Sequence, residues 1–175
     1  RDGFPFWQAD EDGGVARKAT ISKVAEHLRR GKIVGWFQGK GEIGPRALGH
    51  RSILFDATID GGKEYINSEV KKREFWRPFA PSVLESAMSE ISDDHRASPY
   101  MLRAIPVRES YSPSIPSVVH LDGTSRLQTV NEHSPQLEMY CELLRQMGRL
   151  SGRPVLLNTS LNDSSGPIIS STAQA

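Results

Sequence analysis

Apolar residues recur at helical spacing over 20–30, where Ile21, Val24, Ala25 and Leu28 share one face and Gly31 follows as a stop. The next run, Lys32-Ile33-Val34-Gly35-Trp36-Phe37, predicts a short apolar strand. The same grammar returns near the C-terminus. Ser134 and Pro135 suit the N-cap and first helical positions, an amphipathic helix reaches about residue 150, and Gly152 ends it. Pro154-Val155-Leu156-Leu157 then predicts a buried strand. Between these two units the pattern predicts strands over 52–55, 79–84, 101–107, 117–121 and 127–130. It also predicts a helix over 63–72 and a shorter one over 85–91. Strands separated sometimes by helices and sometimes by turns predict a mixed sheet in an α/β (α+β) fold. Residues 1–18, rich in Gly and acids at 10–14, predict a linker, with one domain over 19–175.

Composition narrows the picture. The chain of 175 residues is long enough for one domain with a hydrophobic core, and 37% hydrophobic against 25% charged residues disfavours disorder. A formal charge of +1 excludes a uniformly basic coat, so any anion site must come from local clustering. The single cysteine, Cys141, shares a helical face with Leu137, Tyr140 and Leu144 and reads as core. No apolar run approaches the roughly 20 residues that span a bilayer, and no signal peptide opens the chain. The cytoplasm is the expected compartment. Arg1 in place of Met, and a helix just starting at Thr172-Ala173-Gln174-Ala175, suggest a piece of something longer.

Four segments carry candidate chemistry. Gly39-Lys40-Gly41-Glu42-Ile43-Gly44 matches a dinucleotide fingerprint in letters only, because too few residues separate Gly44 from the next strand for a crossover helix. The overlapping Gly44-Pro45-Arg46-Ala47-Leu48-Gly49-His50-Arg51-Ser52 instead predicts a short turn with free backbone amides for an anion. Arg46 and Arg51 are its candidate anion ligands. Four cations crowd Lys71-Lys72-Arg73-Glu74-Phe75-Trp76-Arg77-Pro78; Pro78 favours extended backbone, which would align Lys71 with Arg73. Arg126 enters a strand after the Asp122-Gly123 turn. Finally, Ser160 and Asn162 stand two apart at the carboxyl end of the most apolar strand, where ligands gather. Asn158-Thr159-Ser160 also spells a glycosylation sequon, discounted for want of a secretory signal. The five histidines show no metal-ligand spacing, so no metal site is expected.

In the same order, these motifs resemble the C-terminal domain of the O-carbamoyltransferases that act on antibiotics and nodulation factors. The resemblance rests on Trp36-Phe37-Gln38-Gly39 with Gly44-Pro45-Arg46-Ala47-Leu48-Gly49, on Lys71-Lys72-Arg73 with Arg77-Pro78-Phe79-Ala80-Pro81-Ser82, on His120-Leu121-Asp122-Gly123-Thr124-Ser125-Arg126, and on Pro154-Val155-Leu156-Leu157-Asn158-Thr159-Ser160. Lys71-x-Arg73 and Ser160-x-Asn162 are also similar to the signature of YrdC-like domains. That likeness implies a twisted open mixed sheet with a concave cationic face.

The resemblance further implies a reaction. Carbamoyl phosphate and ATP, with Mg²⁺, would give carbamoyl-adenylate, and the carbamoyl group would pass to a hydroxyl in an N-terminal Kae1-like domain carrying an iron-class metal. Lys71 and Arg126 would be catalytic, and Arg46, Arg51, Arg73, Arg77, Ser160 and Asn162 would bind the phosphates and carbamoyl oxygens. Where relatives usually continue with Gly-Glu-Pro, this chain reads Asn162-Asp163-Ser164-Ser165-Gly166-Pro167, adding an acid. Two alternatives follow: a YrdC-like RNA-binding face, against which the modest net charge weighs, and a catalytically inactive interaction module.

Overall fold

The computed structural model describes residues 15–162, 166–171 and 174. Most of the expected linker, the altered 163–165 loop and most of the C-terminal tail lie outside the described residues. Helix α1 (Val15–Arg29) begins within the segment read as linker. Its first turn is held by tertiary ion pairs that local sequence does not announce: Arg17 meets Glu138 at 3.2 Å and Glu142 at 3.1 Å.

Strand β1 (Val34–Phe37) follows, then a long loop and β2 (Arg51–Asp56), every residue of which is buried. The expected single helix over 63–72 divides into α2 (Gly62–Ile66) and a π-turn over Asn67–Lys71. Strand β3 (Ala80–Leu84) leads through a 3₁₀ turn into α3 (Met88–Ile91). The expected strands over 101–107 and 117–121 are not formed as such. Only β4 (Ile105–Pro106) pairs with β5 (Thr124–Ser125), while Pro113 and Pro116 start 3₁₀ turns. Proline removes ladder donors and presets turn backbone, which overrides the apolar pattern there. Strand β6 (Gln128–Val130), helix α4 (Glu138–Ser151) and strand β7 (Val155–Ser160) complete the chain.

The main sheet has the order β1-β2-β7-β3-β6. Its pairs are antiparallel except β3 with β6, so it is the mixed open sheet of an α/β fold. Helices α1 and α4 pack on each other and on the sheet, burying Ala25, Leu28, Leu143, Leu144 and Met147 with Leu54 and Leu156 of the strands. Because β7 lies between β2 and β3, its carboxyl end reaches the loops that precede both neighbours. That placement creates the site.

Candidate active site

At the carboxyl end of β7 lies a hollow of about 100 Å³ walled by Arg46, Ala47, Arg73, Arg126, Asn158 and Ser160, with Met101 and Phe79 among its other neighbours. A water in liquid occupies about 30 Å³, so the hollow suits one phosphate-sized group and not a whole nucleotide. Among the described residues, no carboxylate belongs to the lining.

Three arginines from three distant segments converge there. Arg46 and Arg126 make no hydrogen bond or ion pair among the described residues, and the Arg126 Nε is buried without a partner. Burial, and then the neighbouring Arg46, lowers the Arg126 pKa from its ordinary value. Burial also lowers that of Arg73, with Arg77 and then Arg126 adding repulsion against the opposing pull of Glu74. Arg73 is held in place nonetheless. Its Nε donates to Asn67 Oδ1 at 2.6 Å, and its guanidinium lies 4.6 Å above the Phe79 ring. Guanidiniums crowded around one hollow store repulsion that a bound polyanion relieves.

Lys71 is placed differently from the extended geometry expected. It ends the π-turn, and Lys72 then turns left-handed with φ 46°. Buried Lys71 directs Nζ beneath the end of β7, donating to Ser160 O at 2.5 Å, Asn162 Oδ1 at 2.9 Å and Asn162 O at 3.0 Å. The Ser160 hydroxyl donates to Asn162 Oδ1 at 2.5 Å. Lys71 therefore underpins the hollow without lining it. Arg77 is exposed, 3.8 Å from Glu74, and stands outside the lining. Arg51 is not brought to the hollow at all. Its guanidinium donates to the carbonyls of Gln38, Gly39 and His50 and covers the Phe37 ring at 3.4 Å, bracing the loop before β2.

The loop carrying Arg46 is clamped from two sides. The amides from Leu48 to Arg51 are not free for an external anion: Glu42 Oε1 accepts from the N–H of Leu48 at 2.6 Å, His50 at 2.9 Å and Arg51 at 3.2 Å, and Gly49 N–H donates to Ser52 Oγ at 3.1 Å. From the sheet side, Asn158 Nδ2 donates to Ala47 O and Gln128 Nε2 donates to Leu48 O. Gly49 closes this loop with φ 99°, and a Cβ there would lie 2.6 Å from a Tyr140 ring carbon.

Sequence reasoning missed four residues that organise the site: Glu42, Asn67, Gln128 and Asn158. Glu42 and Asn158 fall inside motifs that were read for other chemistry. Asn67 and Gln128 carry no local signal, because their partners lie elsewhere in the fold.

Elsewhere, a shallow dish at Asp93, Asp94, His95 and Arg96 is neutralised within itself, Asp94 pairing with Arg96 and Arg103. Among the described residues, no group of three His, Cys, Asp or Glu side chains is placed to hold a metal ion, and no helix is long and apolar enough to cross a membrane.

Residues 25–175 match the family described as Carbamoyltransferase C-terminus. The chain belongs to that family. Among relatives of this carbamoyltransferase C-terminal chain, the nodulation protein NolNO of Sinorhizobium fredii is 46% identical over 157 residues, covering 88% of this chain and 23% of that protein. Nodulation protein U of Rhizobium tropici is 43% identical over 150 residues, covering 86% and 26% respectively. The carbamoyltransferase C-terminal chain thus spans about a quarter of the length of these relatives. Two solved structures share its fold. A P. abyssi Sua5 variant superposes with a TM-score of 0.51 at 15% identity, covering 83% of this chain and 39% of that one. T. kodakarensis HypF superposes with a TM-score of 0.53 at 16% identity, covering 89% and 19%. The fold is YrdC-like.

Proposed function

We propose that this chain binds carbamoyl phosphate and ATP around the Ser160 hollow and forms carbamoyl-adenylate, the donor for carbamoylation of a hydroxyl elsewhere in a longer protein. The observation that supports this most is the convergence of Arg46, Arg73 and Arg126 on one phosphate-sized hollow, lined among the described residues by no carboxylate. Each phosphate brings about −1.5 to −2 charge, so two polyanions can share a cleft only among fixed cations.

On this reading Arg73 and Arg126 grip phosphate oxygens through their planar forks, and Arg46 closes the site from its loop. Arg77, on the outer side of Arg73, meets the more distant phosphates. Ser160 and Asn162 orient phosphate and carbamoyl oxygens once the Ser160 hydroxyl turns away from Asn162 Oδ1 and Asn162 Nδ2 from Gly166 O. Lys71 acts from below, holding both and adding its charge. Mg²⁺ would enter on the phosphate oxygens of the nucleotide. Water adds to carbamoyl phosphate and releases phosphate and carbamate. A carbamate oxygen then bonds to the α-phosphorus of ATP as the bond to pyrophosphate breaks. Positioning and electrostatic stabilisation of an in-line transfer supply the catalysis. An acceptor hydroxyl, held by a Kae1-like N-terminal domain, would then displace AMP from the carbamoyl carbon.

Pyrophosphate release from ATP and Mg²⁺, measured with and without carbamoyl phosphate, tests the reading. Release should require carbamoyl phosphate and fall by roughly 10²–10³ in Arg126→Ala, the usual loss for a preorganised donor at developing charge. An unchanged rate in Arg126→Ala contradicts the assignment.

A further inference from the structure

Asn158 is 2% exposed, forms part of the wall of the hollow, and has a buried Oδ1 with no hydrogen-bond partner among the described residues. The orientation of its amide is dictated by its surroundings. Ala47 O, which can only accept, lies 3.1 Å from Nδ2. Leu48 O, likewise only an acceptor, lies 2.8 Å from Gln128 Nε2, which turns Gln128 Oε1 toward Ser82 Oγ at 2.6 Å and Asn158 Nδ2 at 3.1 Å. Ser82 gives its proton to Gln128 and accepts from Asn158 Nδ2 at 2.9 Å. Ala47 O directly, and Leu48 O through Gln128, therefore demand that Asn158 present N–H on this side. Reversing the amide would set oxygen against oxygen. Oδ1 is left as a fixed, water-shielded acceptor, and a buried acceptor without a donor is costly enough to need one.

We infer that Asn158 Oδ1 accepts a hydrogen bond from the carbamoyl –NH₂ of the substrate, making Asn158 the residue by which the hollow tells a carbamoyl group from an acetyl group. This rests on the proposed carbamoyl phosphate site and adds a selectivity to it. The guanidiniums of the lining only donate, so they bind any phosphate and any carbonyl oxygen alike. Only an acceptor distinguishes –NH₂ from –CH₃ of the same size. A site built around a polar partner rejects the analogue lacking it more sharply than an apolar pocket rejects an added group.

Two hydrolytically stable probes separate the possibilities: phosphonoacetamide, with a carbamoyl group, and acetonylphosphonate, with methyl in place of –NH₂. Calorimetric titration of the wild-type chain should show phosphonoacetamide binding at least about tenfold more tightly. In Asn158→Ala that ratio should shrink to within about twofold. Ser82→Ala, which disturbs the same network but leaves Oδ1, should weaken both probes together and keep the ratio. A purely structural Asn158 would likewise lower both affinities without changing their ratio, so a preserved ratio in Asn158→Ala overturns the inference. Should that variant fail to fold, the wild-type comparison decides alone, equal affinity for the two probes being the contrary result. Failure of both probes to bind at all would instead remove the phosphate site on which the inference rests.

Discussion

The Nζ of Lys71 lies 2.9 Å from Asn162 Oδ1 and 2.5 Å from the Ser160 carbonyl, so a buried ammonium ties the π-turn to the end of β7. Hydrogen bonds to charged groups contribute about 1.5–3 kcal/mol, and the acceptors stranded by removing the ammonium add to the loss. Lys71→Met should lower the melting temperature by about 5 °C or more, on the basis of 2–4 °C per kcal/mol for a chain of this size. It should also abolish pyrophosphate release. Calorimetric melting with activity on the same sample checks both, and unchanged melting would leave Lys71 without this role.

Asn67 saturates its amide on one loop: Oδ1 receives Arg73 Nε, and Nδ2 donates to Phe75 O at 3.2 Å and Arg77 O at 3.0 Å. It acts as a positioning residue for Arg73. Asn67→Ala should weaken pyrophosphate binding about tenfold in the wild-type background and less than twofold beside Arg73→Ala. Such non-additivity is the signature of residues acting as a unit. Equal losses in both backgrounds would separate Asn67 from Arg73.

Gly49 combines positive φ with a backbone pressed against Tyr140. An alanine there meets both the left-handed strain, about 1–3 kcal/mol, and a clash with a buried ring. Gly49→Ala should lower the urea midpoint, with the m-value unchanged, by an amount corresponding to about 2 kcal/mol or more. Gly123, also at positive φ but with open space around it, should cost less when changed to alanine. Equal costs at the two positions would contradict the close packing of the loop.

Burial lowers the His120 pKa from its usual value of about 6.5, Asp122 opposes, and Arg126 and then Lys63 add to the lowering. The folded chain thus binds a proton at His120 less readily than the unfolded chain. Its contribution is nil while both states are neutral, and stability falls as pH drops below about 6.5 toward the depressed folded value. His120→Gln should flatten the change in melting temperature between pH 7.5 and 5. A slope identical to that of the wild type would place the titration elsewhere.

Much of the fold was legible because its elements obey simple periodicity. Helix α4 shows Pro135 at its entry and Gly152 at its exit, with φ 73° at the glycine. The strands β2, β3 and β7 are apolar runs of the right length. What escaped is set by partners distant in sequence. Arg17 lengthens α1 through α4, and Pro116 starts a 3₁₀ turn that takes up the first residues of the run expected as a strand over 117–121. At the site, the clusters at Arg46, Arg73, Arg126 and Ser160 were readable as cationic or polar loops, but three points were not. Glu42 occupies the Leu48, His50 and Arg51 amides, Arg51 turns back on its own loop, and Lys71 bonds the end of β7. Each depends on where a side chain finds its hydrogen bonds, which spacing alone does not encode.

The central claim is most directly tested by exchange of labelled pyrophosphate into ATP. With carbamoyl phosphate and Mg²⁺ present, label should enter ATP, and omission of carbamoyl phosphate or the substitution Arg73→Ala should suppress it. Label entering at the same rate without carbamoyl phosphate, or undiminished in Arg73→Ala, would contradict formation of carbamoyl-adenylate at the arginine-lined hollow.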